Sequence, residues 1–281
     1  MSIFVNYNRA SRFYDNQRFP AGSDTMAAMI QFYTSKNLPD LRILDAGCGT
    51  GNYSKSLLDI GVGQMALLDS SSEMLKTAKD KLDNYIECGK VTDVVECTMP
   101  PIPFPDDSFD AVLFNTVLNH LDRANSAFPN CVETLNESRR ILRPNGVIIV
   151  STALPSAILN AVWFTKINTK LTKRFIENAV PSLDQFEKMF IASGIECFQK
   201  MNILGSDIFK NYYNVDGLPE ESWLKENEYL TFATESEAGE LFRKVKELKE
   251  NGELENWVKE NDHTQTIGVL TIFVCKPVSA K

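Results

Sequence analysis

The fold of this chain is decided by residues 43–51, which read Ile43-Leu44-Asp45-Ala46-Gly47-Cys48-Gly49-Thr50-Gly51. The apolar run predicts a first strand over residues 41–45, and three glycines at alternate positions follow it. Glycine lacks a Cβ atom, so the backbone can turn sharply there and approach a ligand closely. A helix is predicted after the turn, from about Asn52 to Ile60, and its expected inner face consists of Tyr53, Leu57, Leu58 and Ile60.

The same alternation of apolar runs and amphipathic stretches continues along the chain. A second strand is predicted over Met65–Asp69, and Ser70 with Glu73 has the spacing of a capping box for the next helix. Further strands are predicted at 91–97, 109–114, 147–151, 195–203 and 271–275. Repeated strand–helix units of this kind predict an α/β fold with a parallel sheet.

Several kinds of nucleotide site compete for the glycine-rich turn. Dinucleotide-binding turns need G-x-G-x-x-G, but the position of the third glycine holds Asn52. A pyrophosphate would also lie unfavourably beside Asp45, whereas a sulfonium cofactor with a free amino group tolerates that carboxylate. No G-K-[ST] follows the turn, which excludes a P-loop. A glycine-rich turn without any ligand remains the alternative.

Four stretches resemble the class I, Rossmann-like methyltransferases that use S-adenosylmethionine. The glycine-rich turn is the first, and residues 68–75 (Leu-Asp-Ser-Ser-Ser-Glu-Met-Leu) resemble the second-strand segment of that family. Residues 102–110 resemble its loop into strand four, and residues 140–146 its turn before strand five. The resemblance covers about residues 41–151 and is nearest to the ubiquinone-biosynthesis-like branch, whose members methylate small molecules.

This resemblance implies a complete architecture. The expected fold is a Rossmann-like, mostly parallel seven-stranded sheet with helices on both faces and an antiparallel last strand. The whole chain, 1–281, is expected to be one methyltransferase domain. Around its cofactor-binding core, 41–151, residues 1–30 are expected to form an N-terminal lid. Residues 155–180 and 205–262 are expected to be helical insertions, the second flanking the lid or supporting it from outside.

The resemblance also implies which residues hold S-adenosylmethionine. Asp45 and the glycines Gly47, Gly49 and Gly51 are expected to border its methionine part, while Asp69 binds the ribose. Ser70 and Met74 are expected beside the adenine. Thr98 stands where the family often has an aspartate directed to the adenine amino group, and it can still accept a hydrogen bond. Two further cofactor contacts are expected from Asn115 and Tyr14.

The substrate side is predicted from aromatic and titratable residues outside the matched core. His120 follows strand four at the carboxyl edge of the sheet, where it can act as a base or contact the substrate. The alternative is a histidine near solvent at a helix start. Tyr7 and Trp163 are further candidates for substrate contact, and aromatic faces attract sulfonium cations. Ordinary core packing is the alternative for both.

Composition narrows the possible partners. The net charge of −8 argues against nucleic acid, which needs a basic surface, and against an anionic membrane. Six cysteines without CxxC spacing predict free thiols in a cytoplasmic protein, without a metal site. The predicted function is methyl transfer to a small molecule. A protein or peptide methyltransferase and a non-catalytic cofactor-binding partner subunit are the alternatives, and the oligomeric state is left open.

Overall fold

The computed structural model describes residues 7, 8, 11, 14, 15, 18–205 and 228–278. These residues build a seven-stranded sheet with the order β3-β2-β1-β4-β5-β7-β6. All neighbours pair in parallel except β7, which is antiparallel to β5 and β6. The predicted fold class is therefore confirmed, with strands β1 (Arg42–Ala46), β2 (Gln64–Asp69), β3 (Val91–Glu96), β4 (Phe109–Asn115), β5 (Leu142–Ala153), β6 (Ile195–Ile203) and β7 (Leu270–Pro277).

Helices cover both faces of the sheet because successive strand residues point to opposite sides. Ile43 belongs to the apolar core under α1 (Ser23–Thr34), α2 (Asn52–Ile60) and α3 (Ser72–Lys81). Leu44 belongs to the opposite core, under α5 (Pro129–Ile141) and α8 (Leu183–Ala192). The short helix α4 spans Asp83–Glu87. Among the described residues, no helix combines the length and apolarity needed to cross a bilayer.

Strand five is longer than predicted. It spans Leu142–Ala153 instead of 147–151, because the stretch with Pro144 and Gly146, which was predicted to be a turn, is part of the strand, although Asn145 between them has a φ of 68°. Leu142 pairs with Phe109, and the register then shifts before Ala111 pairs with Val147. The turn residues are thus absorbed as an irregularity within the strand, which the proline and glycine alone do not predict.

Two details of helices α2 and α3 differ from the prediction. Ser71, and not Ser70, caps α3, with its Oγ accepting the Met74 N–H at 3.2 Å. The reason is that Asp69 takes the Ser71 N–H at 2.9 Å, which carries the chain one residue further before the helix begins. On α2, Leu57 and Leu58 are buried as predicted, but Ile60 is 40% exposed at the last turn.

The segments after β5 form one helical unit beside the sheet. Its helices are α6 (Pro155–Ala161), α7 (Thr169–Ala179), α9 (Glu228–Thr231), α10 (Glu235–Glu250), α11 (Leu254–Asn261) and α12 (Thr264–Ile267). Phe175 of α7 shares an apolar cluster with Leu241 and Val245 of α10. Residues 228–262, the described part of the second predicted insertion, pack directly with 155–180 in this cluster. Residues 206–227 of that prediction lie outside the described residues.

Candidate functional site

The glycine-rich turn is held at the carboxyl end of β1. The backbone N–H groups of Gly47 and Cys48 donate to the Leu68 carbonyl at the end of β2, at 2.7 and 3.0 Å. Gly47, Gly49 and Gly51 all have positive φ values, of 83°, 53° and 78°. Side chains with a Cβ atom are strained in this region, so the three glycines fix the shape of the turn.

Asp69 joins the turn to the end of β2. Its Oδ2 accepts the Gly49 N–H at 2.8 Å, and its Oδ1 accepts the Ser71 N–H at 2.9 Å. Burial raises the pKa of Asp69, against the effect of these backbone hydrogen bonds. Because each carboxylate oxygen has two lone pairs, both can accept a further hydrogen bond from a ligand.

Asp45 and Asn115 present buried polar groups to the same edge. Asp45 is 1% exposed, and it accepts the Ser54 hydroxyl proton at 2.7 Å. Burial raises the pKa of Asp45 to about 6. Among the described residues, neither the oxygen nor the nitrogen of the Asn115 side-chain amide has a hydrogen-bond partner. An unsatisfied buried amide is costly, and it suits a polar ligand group.

The N-terminal segment closes over the turn. Its described residues, Tyr7, Asn8, Ser11, Tyr14 and Asp15, are helical. Asp15 accepts the hydroxyl proton of Thr50 in the glycine-rich turn and pairs with Lys81 of α3 at 2.8 Å. Asn8 accepts from the Ser71 hydroxyl at 2.6 Å. The other residues of the predicted lid between 1 and 17 lie outside the described residues.

Two adjoining cavities lie between this segment and the sheet edge. The cofactor-side cavity has about 560 Å³ of space free of atoms, and the larger helical-side cavity has about 1250 Å³ with its mouth included. The helical-side cavity lies against the unit formed by α6, α7 and α9, and side chains such as Phe164, Phe175 and Val180 line it. Both cavities are lined by Tyr7, Tyr14, Gly47, Asn115, Thr116 and His120.

Most residues predicted to contact the cofactor line these cavities. Those on the cofactor side are Tyr14, Gly47, Gly49, Asp69, Ser70, Met74 and Asn115. Asp45 lines the helical-side cavity near the junction, together with Gly47. Gly51 lines neither cavity, since it caps α2 and packs against Leu82.

Besides Gly51, two predicted contacts line neither cavity. Thr98 is exposed and lines neither, whereas its neighbours Cys97 and Met99 line the cofactor side. Trp163 is completely buried in the helical cluster, where its ring packs edge-on against Phe164. The adjacent Phe164 lines the helical-side cavity instead, because Trp163 lies on the core side of this turn.

His120 lies at the junction of the two cavities. It ends the 3₁₀ turn Leu118–His120 and is only 7% exposed, so the interpretation as a histidine near solvent is wrong. Its Nε2 is 2.9 Å from the Tyr7 hydroxyl oxygen, and its Nδ1 is 3.8 Å from Glu228 Oε1. Burial lowers the pKa of His120, an effect that the charge of Glu228 opposes.

Sequence reasoning missed two charged residues that line the helical-side cavity, Arg18 and Glu228. Glu228 lies 108 positions after His120 in a stretch rich in lysine and glutamate. Nothing in that stretch distinguishes it from solvated glutamates nearby. Its position depends on how α9 packs, which only the tertiary structure provides.

Comparison with known proteins gives a matching family for the core. Residues 44–150 match the family described as "Methyltransferase domain". The chain is 29% identical over 137 residues to the ubiquinone/menaquinone biosynthesis C-methyltransferase of Cupriavidus pinatubonensis, covering 48% of this chain and 52% of that protein. It is 32% identical over 144 residues to the malonyl-[acyl-carrier protein] O-methyltransferase of Pectobacterium atrosepticum, covering 50% of each. The chain thus spans about half the length of the curated relatives it matches.

The fold also matches a solved structure over nearly its whole length. A putative methyltransferase from an antibiotic biosynthesis pathway of Anabaena variabilis superposes with a TM-score of 0.69 at 18% identity. The match covers 92% of this chain and 98% of that one. It confirms that the segments outside the core belong to the same architecture. Together with the matched core, it confirms the resemblance inferred from the four sequence stretches.

Proposed function

Because residues 44–150 match the family described as "Methyltransferase domain", we propose that this protein transfers a methyl group from S-adenosylmethionine to a small molecule. The observation that carries the proposal is the junction of the two cavities at Gly47, Asn115 and His120. The cofactor-side cavity is polar at Asp69, and the helical-side cavity is mostly apolar. Two partners can therefore meet at one point away from bulk water, which is the main requirement of methyl transfer.

The residues present fit the cofactor. Asp69 offers acceptor lone pairs to ribose hydroxyls, and Asn115 has an unsatisfied amide beside the turn. Asp45 provides a negative charge for the cofactor's amino group, and Met74 gives an apolar contact for the adenine. When bound, the cofactor supplies an electrophilic methyl group, whose bond to sulfur breaks with the electron pair left on sulfur.

The acceptor is proposed to be a largely apolar small molecule with one nucleophilic atom. Phe164, Phe175 and Val180 line the helical-side cavity, and two of its polar residues, Tyr7 and Glu228, lie beside His120. The two relatives named above are a C- and an O-methyltransferase, and both are aligned with only about half of this chain. The matched half therefore supports methyl transfer, while the helical unit selects the acceptor. We also propose a cytoplasmic location, in keeping with the six free cysteines.

Calorimetry with S-adenosylmethionine and with NAD⁺ tests the cofactor assignment. We expect binding of S-adenosylmethionine and none of NAD⁺, because Asn52 replaces the third glycine of a dinucleotide turn and Asp45 disfavours a pyrophosphate. Binding of NAD⁺ alone would overturn the assignment. Incubation with methyl-labelled cofactor and fractionated cell extract then locates the acceptor, since label in protein fractions would instead indicate a protein methyltransferase.

Replacing Asp69 by alanine is expected to weaken cofactor binding by roughly 1–3 kcal/mol, because charge-assisted hydrogen bonds are lost. Asp69 also holds Gly49 and Ser71 through backbone N–H groups, so Asp69→Asn is the milder second variant. Asparagine keeps one acceptor oxygen but loses the charge. The exposed Glu73 provides the control, since Glu73→Gln changes charge nearby without touching either cavity. An unchanged dissociation constant in Asp69→Ala would exclude Asp69 as the ribose acceptor.

A further inference from the structure

Three side chains from distant parts of the sequence form a chain of polar contacts at the cavity junction. The Tyr7 hydroxyl lies 2.9 Å from His120 Nε2, and Glu228 Oε1 lies 3.8 Å from His120 Nδ1. The Tyr7 and His120 rings meet edge to face, with centroids 5.4 Å apart. All three residues line the helical-side cavity, so the chain borders the space available to the acceptor.

The position of Glu228 is fixed by its neighbours on α9. The Tyr229 hydroxyl lies 3.0 Å from the Thr172 hydroxyl, and its ring packs edge-on against Phe175. Arg174 donates to the Phe232 carbonyl at the other end of α9, at 2.6 Å. These contacts anchor α9 on α7 and turn Glu228 toward His120. Glu228 Oε1 is buried and has no hydrogen-bond partner among the described residues, so a positive charge on His120 would relieve it.

Burial determines which group carries the proton. Burial raises the pKa of Tyr7 far above its ordinary value, so the phenol keeps its proton and donates it to His120 Nε2. His120 then carries its own proton on Nδ1, the nitrogen that faces Glu228. Burial lowers the pKa of His120, Arg18 lowers it further, and both Glu228 and Asp69 raise it. Among the described residues, Tyr14 also lies beside these groups, with its ring packed edge to face against Tyr7.

We propose that Tyr7 and His120 accept the proton of the methyl acceptor, and that Glu228 is the positioning residue that fixes the His120 tautomer and stabilises its charged form. The inference rests on the proposed function for the identity of the reaction. The acceptor's X–H bond breaks, and its proton passes to the Tyr7 oxygen while the Tyr7 proton passes to His120 Nε2. The electron pair remains on X, where the new bond to carbon forms, and the charge ends on the imidazolium beside Glu228.

This arrangement specifies the class of acceptor. A group that must lose a proton on methylation, such as a phenol, an enol or an activated C–H, benefits from a proton acceptor at the junction. An acceptor that is already anionic, or that attacks through a basic lone pair without losing a proton first, does not need such a group. The helical-side cavity is therefore assigned to a neutral, largely apolar molecule with one acidic X–H group directed toward Tyr7.

Nuclear magnetic resonance titration of histidine tests the proposal without cofactor or acceptor. The chain has two histidines, so selective ¹³C labelling gives two imidazole signals, and His263 is an internal reference. The variant Glu228→Gln keeps the size of the side chain and removes its charge. We expect the pKa of His120 to fall by about one pH unit or more, as for loss of an opposite charge at this distance. The His263 signals should be the same in the variant and in the wild type.

A second variant, Glu240→Gln, is the matched control because Glu240 is an exposed glutamate on α10. It should leave both titrations unchanged, and thermal melting confirms that each variant is folded. An unchanged His120 pKa in folded Glu228→Gln would overturn the proposal. An unchanged preference for the Nδ1–H tautomer in that variant would also overturn it. Because these spectra need no cofactor, failure of the cofactor to bind would contradict only the proposed function. Intact cofactor binding with an unchanged His120 pKa would overturn this proposal and leave the proposed function standing.

Discussion

Replacing Asp45 by asparagine is expected to stabilise the ligand-free protein while weakening its binding of S-adenosylmethionine. Asp45 is 1% exposed, and burial raises its pKa from 3.8 to about 6. The folded state therefore binds this proton more tightly than the unfolded chain. Burial of the charged carboxylate therefore does not lower the free energy of unfolding below pH 3.8. It lowers it increasingly between pH 3.8 and about 6, and by a constant amount at higher pH.

The size of this cost follows from the difference in pKa. A change from 3.8 to about 6 corresponds to roughly 3 kcal/mol above pH 6, at 1.36 kcal/mol per pH unit. Asparagine removes the charge, and its oxygen can still accept the Ser54 hydroxyl proton. We expect Asp45→Asn to raise the free energy of unfolding in urea at pH 7.5 by up to that amount. The gain should shrink as the pH falls from 6 toward 4.

Cofactor binding should respond in the opposite direction. Loss of the carboxylate removes its attraction for the positively charged amino group, so we expect a dissociation constant raised about ten- to hundredfold. The wild-type affinity should also fall as the pH drops below about 6, where Asp45 becomes protonated. Asp59→Asn is the control, because Asp59 is exposed and its hydrogen bonds with Lys55 and Tyr85 lower its pKa. A less stable Asp45→Asn protein with normal affinity would contradict both expectations.

Replacing Gly47 by alanine is expected to damage both stability and the site. A Cβ atom at this position would lie 2.5 Å from Val117 Cγ2 and 2.9 Å from Val117 Cγ1. Valine is stiff about χ1, so Val117 or the turn must move. The φ of 83° adds the strain of a side chain in left-handed backbone. Together these effects are expected to cost about 2–5 kcal/mol of stability, and displacement of the turn should abolish measurable cofactor binding.

Two further variants separate the clash from the backbone strain. Gly89 has a φ of 73° with nothing within 4 Å of an added Cβ, so Gly89→Ala should show the backbone strain alone, with normal cofactor binding. In Gly47→Ala/Val117→Ala the clash is removed and the strain remains. We expect the double variant to recover part of the stability lost by Gly47→Ala, as measured by urea unfolding. If it is no more stable than the single variant, the close approach of Val117 is not the cause.

Local sequence patterns were sufficient to predict the elements of the sheet core and the glycine-rich turn. Apolar runs bounded by glycine and proline placed β1, β2 and β6 to within a residue, and α2 began and ended where the glycine turn and Gly61 predicted. These elements are determined mainly by residues close in sequence. The three glycines with positive φ, for example, define the turn after β1. Local patterns carry such information because the backbone conformations and hydrogen bonds involved are themselves local.

The tertiary structure alone decided the acceptor side of the site. Phe164 lines the helical-side cavity because Trp163 is on the core side of their turn. Glu228 reaches His120 because Tyr229 and Arg174 anchor α9 on α7. Contacts between residues a hundred positions apart leave no periodic signal in the sequence, since any of the nearby glutamates fits the same charged helical pattern. Such contacts form only when segments that are distant in the sequence pack into one core.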